Sequence, residues 1–140
     1  MTDKDIDKIT DVDELIKLSR EYIENQQFDE GIKFVTKALE LKPDDLNILN
    51  SMGFAYGRSG NYEEAIKYYK KALEIEPNFQ KALGNLGHVY EMQEKFEEAI
   101  EYYERSLEAK PEDEDLCFPE NIVGVVKEHL HKAREQLTKE

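Results

Sequence analysis

The side chains of this sequence best suited to bind a metal or act as a nucleophile are few. They are His88, His129, His131 and the single cysteine, Cys117. His129 and His131 are two residues apart, so on a helix they point about 200° away from each other. They cannot share one ion unless another chain contributes. The sequence therefore predicts no metal site, with His129 at the edge of an apolar stripe and His131 facing solvent.

Motifs of known catalytic chemistry are missing from the sequence. There is no glycine-rich phosphate loop, no cysteine pair at metal-binding spacing and no nucleophile elbow. No neighbour in the sequence would activate the Cys117 thiol. The glutamates at positions 97, 98, 101 and 104 are typical of a solvated helix face. The sequence therefore predicts a protein that is not an enzyme and needs no cofactor.

Composition narrows the choice of partners. Of the 140 residues, 39% are hydrophobic and 36% are charged, and the net charge is −13. Nucleic-acid binding relies on Lys and Arg that neutralise phosphates, so this surface disfavours it.

No apolar run approaches the roughly 18 residues of a membrane helix. The first ten residues do not resemble a signal peptide, and one cysteine allows no intrachain disulfide. We therefore expect a cytoplasmic protein with protein or peptide partners.

A segment of eighteen residues recurs three times. It reads QQFDEGIKFVTKALELKP at 26–43, GNYEEAIKYYKKALEIEP at 60–77 and EKFEEAIEYYERSLEAKP at 94–111. The closing prolines, Pro43, Pro77 and Pro111, are therefore 34 residues apart in both steps. Recurrence at a period of this size is typical of stacked helical units.

Each copy predicts two helices. The first helix of the middle copy has one apolar face at spacings i, i+3, i+4 and i+7, formed by Leu49, Met52, Gly53 and Tyr56. Gly60 then breaks the pattern and can adopt a positive φ. A second periodic stretch follows and ends at Pro77, since proline cannot continue a helix interior.

Three local features follow from these patterns. Small residues such as Gly53 and Ala65 should meet where the two helices of a unit cross. Thr10, followed by Asp13, should cap the first helix. Four tyrosines at inward-facing repeat positions should be buried in the core: Tyr56, Tyr69, Tyr90 and Tyr103.

The repeated residues resemble the tetratricopeptide repeat (TPR) family. The family pattern appears as Leu83-x2-Leu86-Gly87-x2-Tyr90, then Ala99-x3-Tyr103, then Pro111. The first copy departs from it with Ser19 for Gly and Gly31 for Ala. The resemblance implies an all-α solenoid. We expect a single domain with repeats at about 12–45, 46–79 and 80–113.

The C-terminal part of the chain has a different pattern. Residues 112–118 are expected to be a solvated linker, and a helix over about 119–138 is expected to cap the last repeat. Its predicted apolar stripe consists of Ile122, Val125, Val126, Leu130, Ala133 and Leu137. The alternative is that this stripe, or the ends of the stack, mediates self-association.

In the proteins that this sequence resembles, first helices line a concave groove that holds a peptide or a partner helix. Helical geometry selects the residues that would line it here: Arg20, Asn47, Asn50, Phe54, Arg58, Lys81, His88 and Met92. Apolar, amide and cationic groups are mixed in this set, although the chain is acidic. We therefore predict a scaffold or adapter that binds a partner segment in the groove.

Some TPR proteins bind a C-terminal carboxylate through five groove residues. The resemblance would require lysines at positions 16 and 81, asparagines at 20 and 51, and an arginine at 85. The sequence has Ile16, Arg20, Ser51, Lys81 and Asn85 instead. Because only Lys81 matches, we do not expect this clamp in its usual form.

Overall fold

The computed structural model describes residues 2–109 and 122–139, and of Ile122 and Val123 it describes the backbone only. These residues form eight helices: α1 Asp3–Asp7, α2 Val12–Glu24, α3 Phe28–Leu41, α4 Leu46–Arg58, α5 Tyr62–Ile75, α6 Gln80–Met92, α7 Phe96–Glu108 and α8 Ile122–Thr138. The all-α class and the helix–turn–helix repeats are confirmed. The expected linker, Pro111 and Cys117 lie outside the described residues.

The chain divides into two units. The first ends at Ile75 and contains the hairpins α2/α3 and α4/α5, with α4 packed on both α3 and α2. The second begins at Glu76 and contains the hairpin α6/α7, with α8 packed on α7 and α6. Within its unit, α8 therefore contacts the preceding hairpin as α4 does in the first unit.

Each unit has its own buried apolar residues. In the first unit these include Leu15, Ile23, Phe34, Ile48 and Met52, and the short α1 adds Ile6. Helix α1 was not among the predicted elements, although it starts with a capping box between Thr2 and Asp5, a spacing that can be read from the sequence. In the second unit Leu83, Leu86 and Tyr103 are joined by three residues of α8: Val126, Leu130 and Ala133.

The corners between paired helices share one backbone geometry. A turn of three residues joins the helices of each hairpin. Its middle residue has a positive φ, which is 63° at Gln26, 87° at Gly60 and 60° at Glu94. The next N–H bonds back to the carbonyl of Tyr22, Tyr56 or Tyr90, each at 2.9 Å. This backbone hydrogen bond is part of the Schellman motif that ends many helices. The prediction for Gly60 is confirmed, and two non-glycine residues adopt the same conformation.

Three predicted details are wrong. The cap of α2 is Asp11, whose carboxylate accepts the N–H of Asp13 at 2.9 Å, because Asp11 rather than Thr10 immediately precedes the first helical residue. Val125 is 44% exposed, since α8 turns the neighbouring Val126 toward α7 and α6. Tyr56 is only half-buried and stacks on Tyr68, with ring centroids 5.7 Å apart.

A buried hydrogen-bond network joins the start of α6 to the C-terminal end of α7. The Gln80 side-chain amide donates to the carbonyls of Ser106 and Ala109, at 2.9 and 3.3 Å. The Ser106 hydroxyl donates to the Gln80 carbonyl at 3.2 Å. Because these buried polar groups are hydrogen-bonded to one another, a glutamine at position 80 is compatible with burial. Sequence periodicity did not predict this role for Gln80.

Candidate functional site

Four of the predicted groove residues lie on one face of α4. Asn47 and Arg58 are exposed, and Asn50 and Phe54 are half-buried. The Arg58 guanidinium carbon lies 5.6 Å from the centre of the Phe54 ring, which is within range of a cation–π interaction. The geometry therefore pairs an aromatic ring and a cation on an accessible helix surface.

The opposite face of α4 determines which way these residues point. Ile48, Leu49, Met52 and Ala55 are buried. At the start of the helix, the Asp45 carboxylate accepts the backbone N–H of Ile48 at 3.1 Å. Because the buried face fixes the rotation of α4, the remaining face presents Asn47 and Arg58 to solvent, and Phe54 lies at its boundary, half-buried against the apolar core of the first unit.

The fifth groove residue of the first unit is Arg20 on α2. Its side chain is exposed, and the same helix packs against α4. Ile16, one turn earlier, is half-buried. The first unit thus presents Arg20, Phe54 and Arg58 on two adjoining helices.

The other three predicted residues lie on α6 in the second unit. Lys81 is half-buried, His88 is exposed and Met92 is 53% exposed. Gly84, on the same face, is buried. A Cβ placed there would lie 3.3 Å from the Ser106 hydroxyl and 3.4 Å from a methyl group of Val126. Part of the α6 face is therefore covered by α7 and α8, and the accessible groups lie on either side of Gly84.

A cluster of side chains that could bind a metal lies at the junction of α6 and α8. The rings of His88 and His129 meet edge to face, with centroids 5.2 Å apart. His129 Nδ1 lies 3.1 and 3.3 Å from the two carboxylate oxygens of Glu91. One ligating atom each from His88, Glu91 and His129 falls within 4.8 Å of the others. Sequence reasoning tested the pair His129 and His131 and missed this cluster, because it joins separate helices.

Tyr103 supports the same cluster from α7. Its hydroxyl donates to Glu91 Oε1 at 2.8 Å, and the residue is 1% exposed. Burial, and then the bond to the Glu91 carboxylate, raise the pKa of Tyr103 far above its ordinary value. The phenol therefore stays a donor and holds the carboxylate in place. His131 points to solvent as predicted and lies 3.2 Å from Glu135.

Three helix–turn–helix repeats with a period of 34 define a helical-repeat protein. Tetratricopeptide repeat models match residues 15–45, 47–79 and 81–113. The chain belongs to the tetratricopeptide repeat family. Comparison of the sequence with curated proteins gave no match.

Solved structures share this fold. The Sgt2 TPR domain from Aspergillus fumigatus has a TM-score of 0.77 at 22% identity, covering 94% of this chain and 82% of that one. The first TPR of Spaghetti (RPAP3), bound to the HSP90 peptide SRMEEVD, gives 0.72 at 23%, covering 91% and 93%. The Yersinia enterocolitica chaperone SycD, in complex with a peptide of the translocator YopD, gives 0.73 at 15%, covering 91% and 94%. These matches confirm the all-α TPR fold.

Among the residues that the structure describes, no helix is both long enough and apolar enough to cross a bilayer.

Proposed function

We propose that this chain is a non-catalytic adapter that binds a segment of a partner protein through the first helices of its repeats. The observation that carries the proposal is the Phe54–Arg58 pair, an aromatic ring and a cation held together on an accessible face of α4. Aromatic and arginine side chains are enriched among residues that dominate binding energy at protein interfaces. The largely exposed Met92 on α6 adds an adaptable apolar contact.

Similar folds support this choice of ligand class. Spaghetti and SycD were each solved with a peptide bound. They are distant in sequence, so the particular partner of this chain does not follow from theirs. The proposal is supported because two proteins with this fold, Spaghetti and SycD, bind different peptides.

Charge favours one type of segment. Arg20, Arg58 and Lys81 bring positive charge to first-helix faces of a protein whose net charge is −13. Asn47 can donate to and accept from a peptide backbone. We therefore expect a segment that combines acidic side chains with an apolar anchor, delivered by a protein partner rather than by nucleic acid or a membrane.

Binding to a peptide array tests the proposal with two variants and a matched control. Phe54→Ala should lower the affinity for selected peptides by about tenfold or more, as expected for an interface anchor. The triple variant Arg20→Ala, Arg58→Ala, Lys81→Ala should weaken acidic peptides and reduce their dependence on salt. Changing Lys67, Lys70 and Lys71 of α5 to alanine removes the same charge from a second-helix surface and should have little effect.

Two outcomes would contradict this proposal. One is that both first-helix variants keep every peptide at the affinity of the unmodified chain. The other is that the control triple variant loses as much binding as the first-helix triple variant, because the effect would then reflect net charge alone.

The mode of binding can be tested with one peptide in two forms. SRMEEVD is compared with the same peptide amidated at its C-terminus. Since only Lys81 matches the five-residue carboxylate clamp, we expect amidation to change the affinity by less than about threefold. A loss of about a hundredfold would instead indicate a clamp built from other residues, such as Arg20 or Arg58.

Self-association through the last helix is the alternative. Three residues of the predicted apolar stripe of α8, Val126, Leu130 and Ala133, are buried within the second unit. Light scattering across a concentration series separates the two hypotheses. A monomer at high concentration excludes self-association, and a dimer that is lost on Val125→Lys supports it.

A further inference from the structure

We propose that His88, Glu91 and His129 form a binding site for one divalent transition-metal ion, with Zn²⁺ as the ion that the geometry suits best. The three residues offer two imidazoles and one carboxylate, which is a ligand set used by zinc. Nothing in the proposed adapter function requires this site. The inference therefore stands on the second unit alone.

The spacing of His129 and Glu91, which contact each other at hydrogen-bond distance, also matches that of two ligands on one ion. Zinc holds nitrogen and oxygen ligands at about 2.0–2.2 Å in a tetrahedron, so two ligand atoms on one ion lie roughly 3.3–3.5 Å apart. His129 Nδ1 is 3.1 Å from one Glu91 oxygen and 3.3 Å from the other. His88 completes the set within 4.8 Å. Its exposed ring needs to move by at most roughly 1.5 Å to reach the same spacing.

Helix α6 positions two of the three ligands, and a hydrogen bond orients one of them. His88 and Glu91 are three residues apart on α6 and therefore share a face. The Tyr103 hydroxyl holds Glu91 Oε1 from the buried side, at 2.8 Å. A hydrogen bond from outside the coordination sphere to a ligating carboxylate is a regular feature of metal sites. The acidic protein also raises the local concentration of cations.

Partial exposure gives an ion access to the cluster. The side chains of Glu91 and His129 are 17% and 29% exposed, and His88 is exposed. Three protein ligands leave the fourth tetrahedral position to water. Because His129 belongs to α8 and the other two ligands belong to α6, a bound ion would tie α8 to the last hairpin. Metal binding should therefore stabilise the folded chain.

The test uses the full chain without a histidine tag, carrying Cys117→Ser so that the thiol cannot contribute a ligand. After treatment with a chelator, the protein is titrated with Zn²⁺ by calorimetry and with Co²⁺ by visible absorption. We expect one ion per chain at micromolar affinity or better, and tetrahedral cobalt bands that Zn²⁺ abolishes. At a hundredfold excess over Kd, Zn²⁺ should raise Tm by about 5 °C or more.

Three histidine variants locate the site. His88→Ala and His129→Ala should each weaken Zn²⁺ by more than about 100-fold, because changing even an outer partner costs about 10–100-fold. His131→Ala is the matched control, since it removes an exposed histidine of α8 that points elsewhere, and it should bind like the parent. Tyr103→Phe should weaken binding by about 10–100-fold. Circular dichroism checks that each variant is folded, and the exposed His88 is the variant least able to disturb packing.

Specific results would overturn the site. These are no binding at millimolar Zn²⁺, unchanged affinity in folded His88→Ala, or an equal loss in His131→Ala. None of them bears on peptide binding by the Arg20, Phe54, Arg58 and Lys81 variants, so the metal site and the adapter function can fail separately.

Discussion

In the hairpin α4/α5, a Cβ added at Gly53 would lie 2.5 Å from the Tyr69 ring, and in α6/α7 one at Gly87 would lie 2.7 Å from Tyr103. The hairpin α2/α3 has Ser19 where the other two have glycine. Here the larger residue fits because Val35 replaces the tyrosine. The Ser19 hydroxyl also donates to the carbonyl of Gly31 at 2.7 Å.

The residues at these two repeat positions therefore differ in a compensating way. Glycine occurs with the large tyrosine, and the larger serine occurs with the smaller valine. The sequence predicted that small residues keep helices close, and it predicted Ala65 as the neighbour of Gly53. The three atoms nearest to a Cβ added at that glycine belong to the Tyr69 ring. The variants below test how far the comparison extends.

Removing a packed ring should have the largest effect. Tyr69 is 2% exposed, and Tyr69→Ala leaves a cavity that should lower the free energy of unfolding by about 3–5 kcal/mol. Tyr68→Ala is the control because it removes the same atoms from a half-buried side chain. The loss in the free energy of unfolding should therefore be clearly smaller. Urea denaturation measures both. Equal losses would mean that the buried Tyr69 ring, packed against Gly53, contributes no more to stability than the half-buried Tyr68 ring.

Filling the glycine should have the next largest effect. Gly53→Ser forces the Tyr69 ring to move and should cost about 1–3 kcal/mol. The double variant Gly53→Ser, Tyr69→Val recreates the Ser19–Val35 pair. We expect it to lose less stability than the sum of its two single variants, with a coupling of about 0.5–3 kcal/mol. Simple additivity would show that the volumes of the two residues are not coupled.

A smaller effect is expected at the helix starts. Asp45 caps α4, and the position 34 residues later is Phe79, whose side chain cannot accept a hydrogen bond. Asp45→Ala should lower the free energy of unfolding by about 1 kcal/mol. The adjacent Asp44 is exposed and serves as the control, and Asp44→Ala should stay within about 0.5 kcal/mol of the parent.

The corners should give the smallest change, with opposite signs in different repeats. Gly60 has a φ of 87°, and a Cβ added there would meet nothing within 4 Å. Gly60→Ala should therefore cost the backbone strain of about 1–2 kcal/mol, offset by about 0.4–1 kcal/mol from the lower entropy of the unfolded chain, for a net loss of about 0.5–1 kcal/mol. Glu94→Gly relieves the same strain at a φ of 60° and should stabilise by a similar amount. A destabilising Glu94→Gly would show that the glutamate side chain contributes more than its backbone costs. Thermal unfolding of both variants provides the measurement.

Much of the fold could be predicted because its signals are local and repeated. Apolar spacing, Gly60 and the recurring prolines gave the helix pairs without any tertiary information. Local signals could not separate Val125 from Val126, since one residue of helix rotation depends on how α8 packs. Nor could they show that α6 and α8 bring Glu91 to His129, 38 residues away.

The candidate peptide-binding surface shows the same limit. Helical geometry predicted Phe54, Arg58, Met92 and His88 as groove residues. Arg58, His88 and Met92 are exposed, and Phe54 is half-buried. It did not show that Arg58 lies over Phe54, because that contact depends on rotamers. Which partner this surface accepts depends on a molecule outside the chain, so no pattern within the sequence contains it.

The stacked aromatic pairs have a practical consequence for following the molecule in solution. Tyr56 stacks on Tyr68 in the first unit and Tyr90 on Tyr102 in the second, with centroids 5.7 and 5.5 Å apart, and the chain has no tryptophan. Near-ultraviolet dichroism therefore comes mainly from these and the other ordered tyrosines. Tyr68→Phe and Tyr102→Phe would each reduce the near-ultraviolet dichroism of one stacked pair. The two spectra, recorded on heating, would reveal whether both halves of the chain melt at one temperature or in succession.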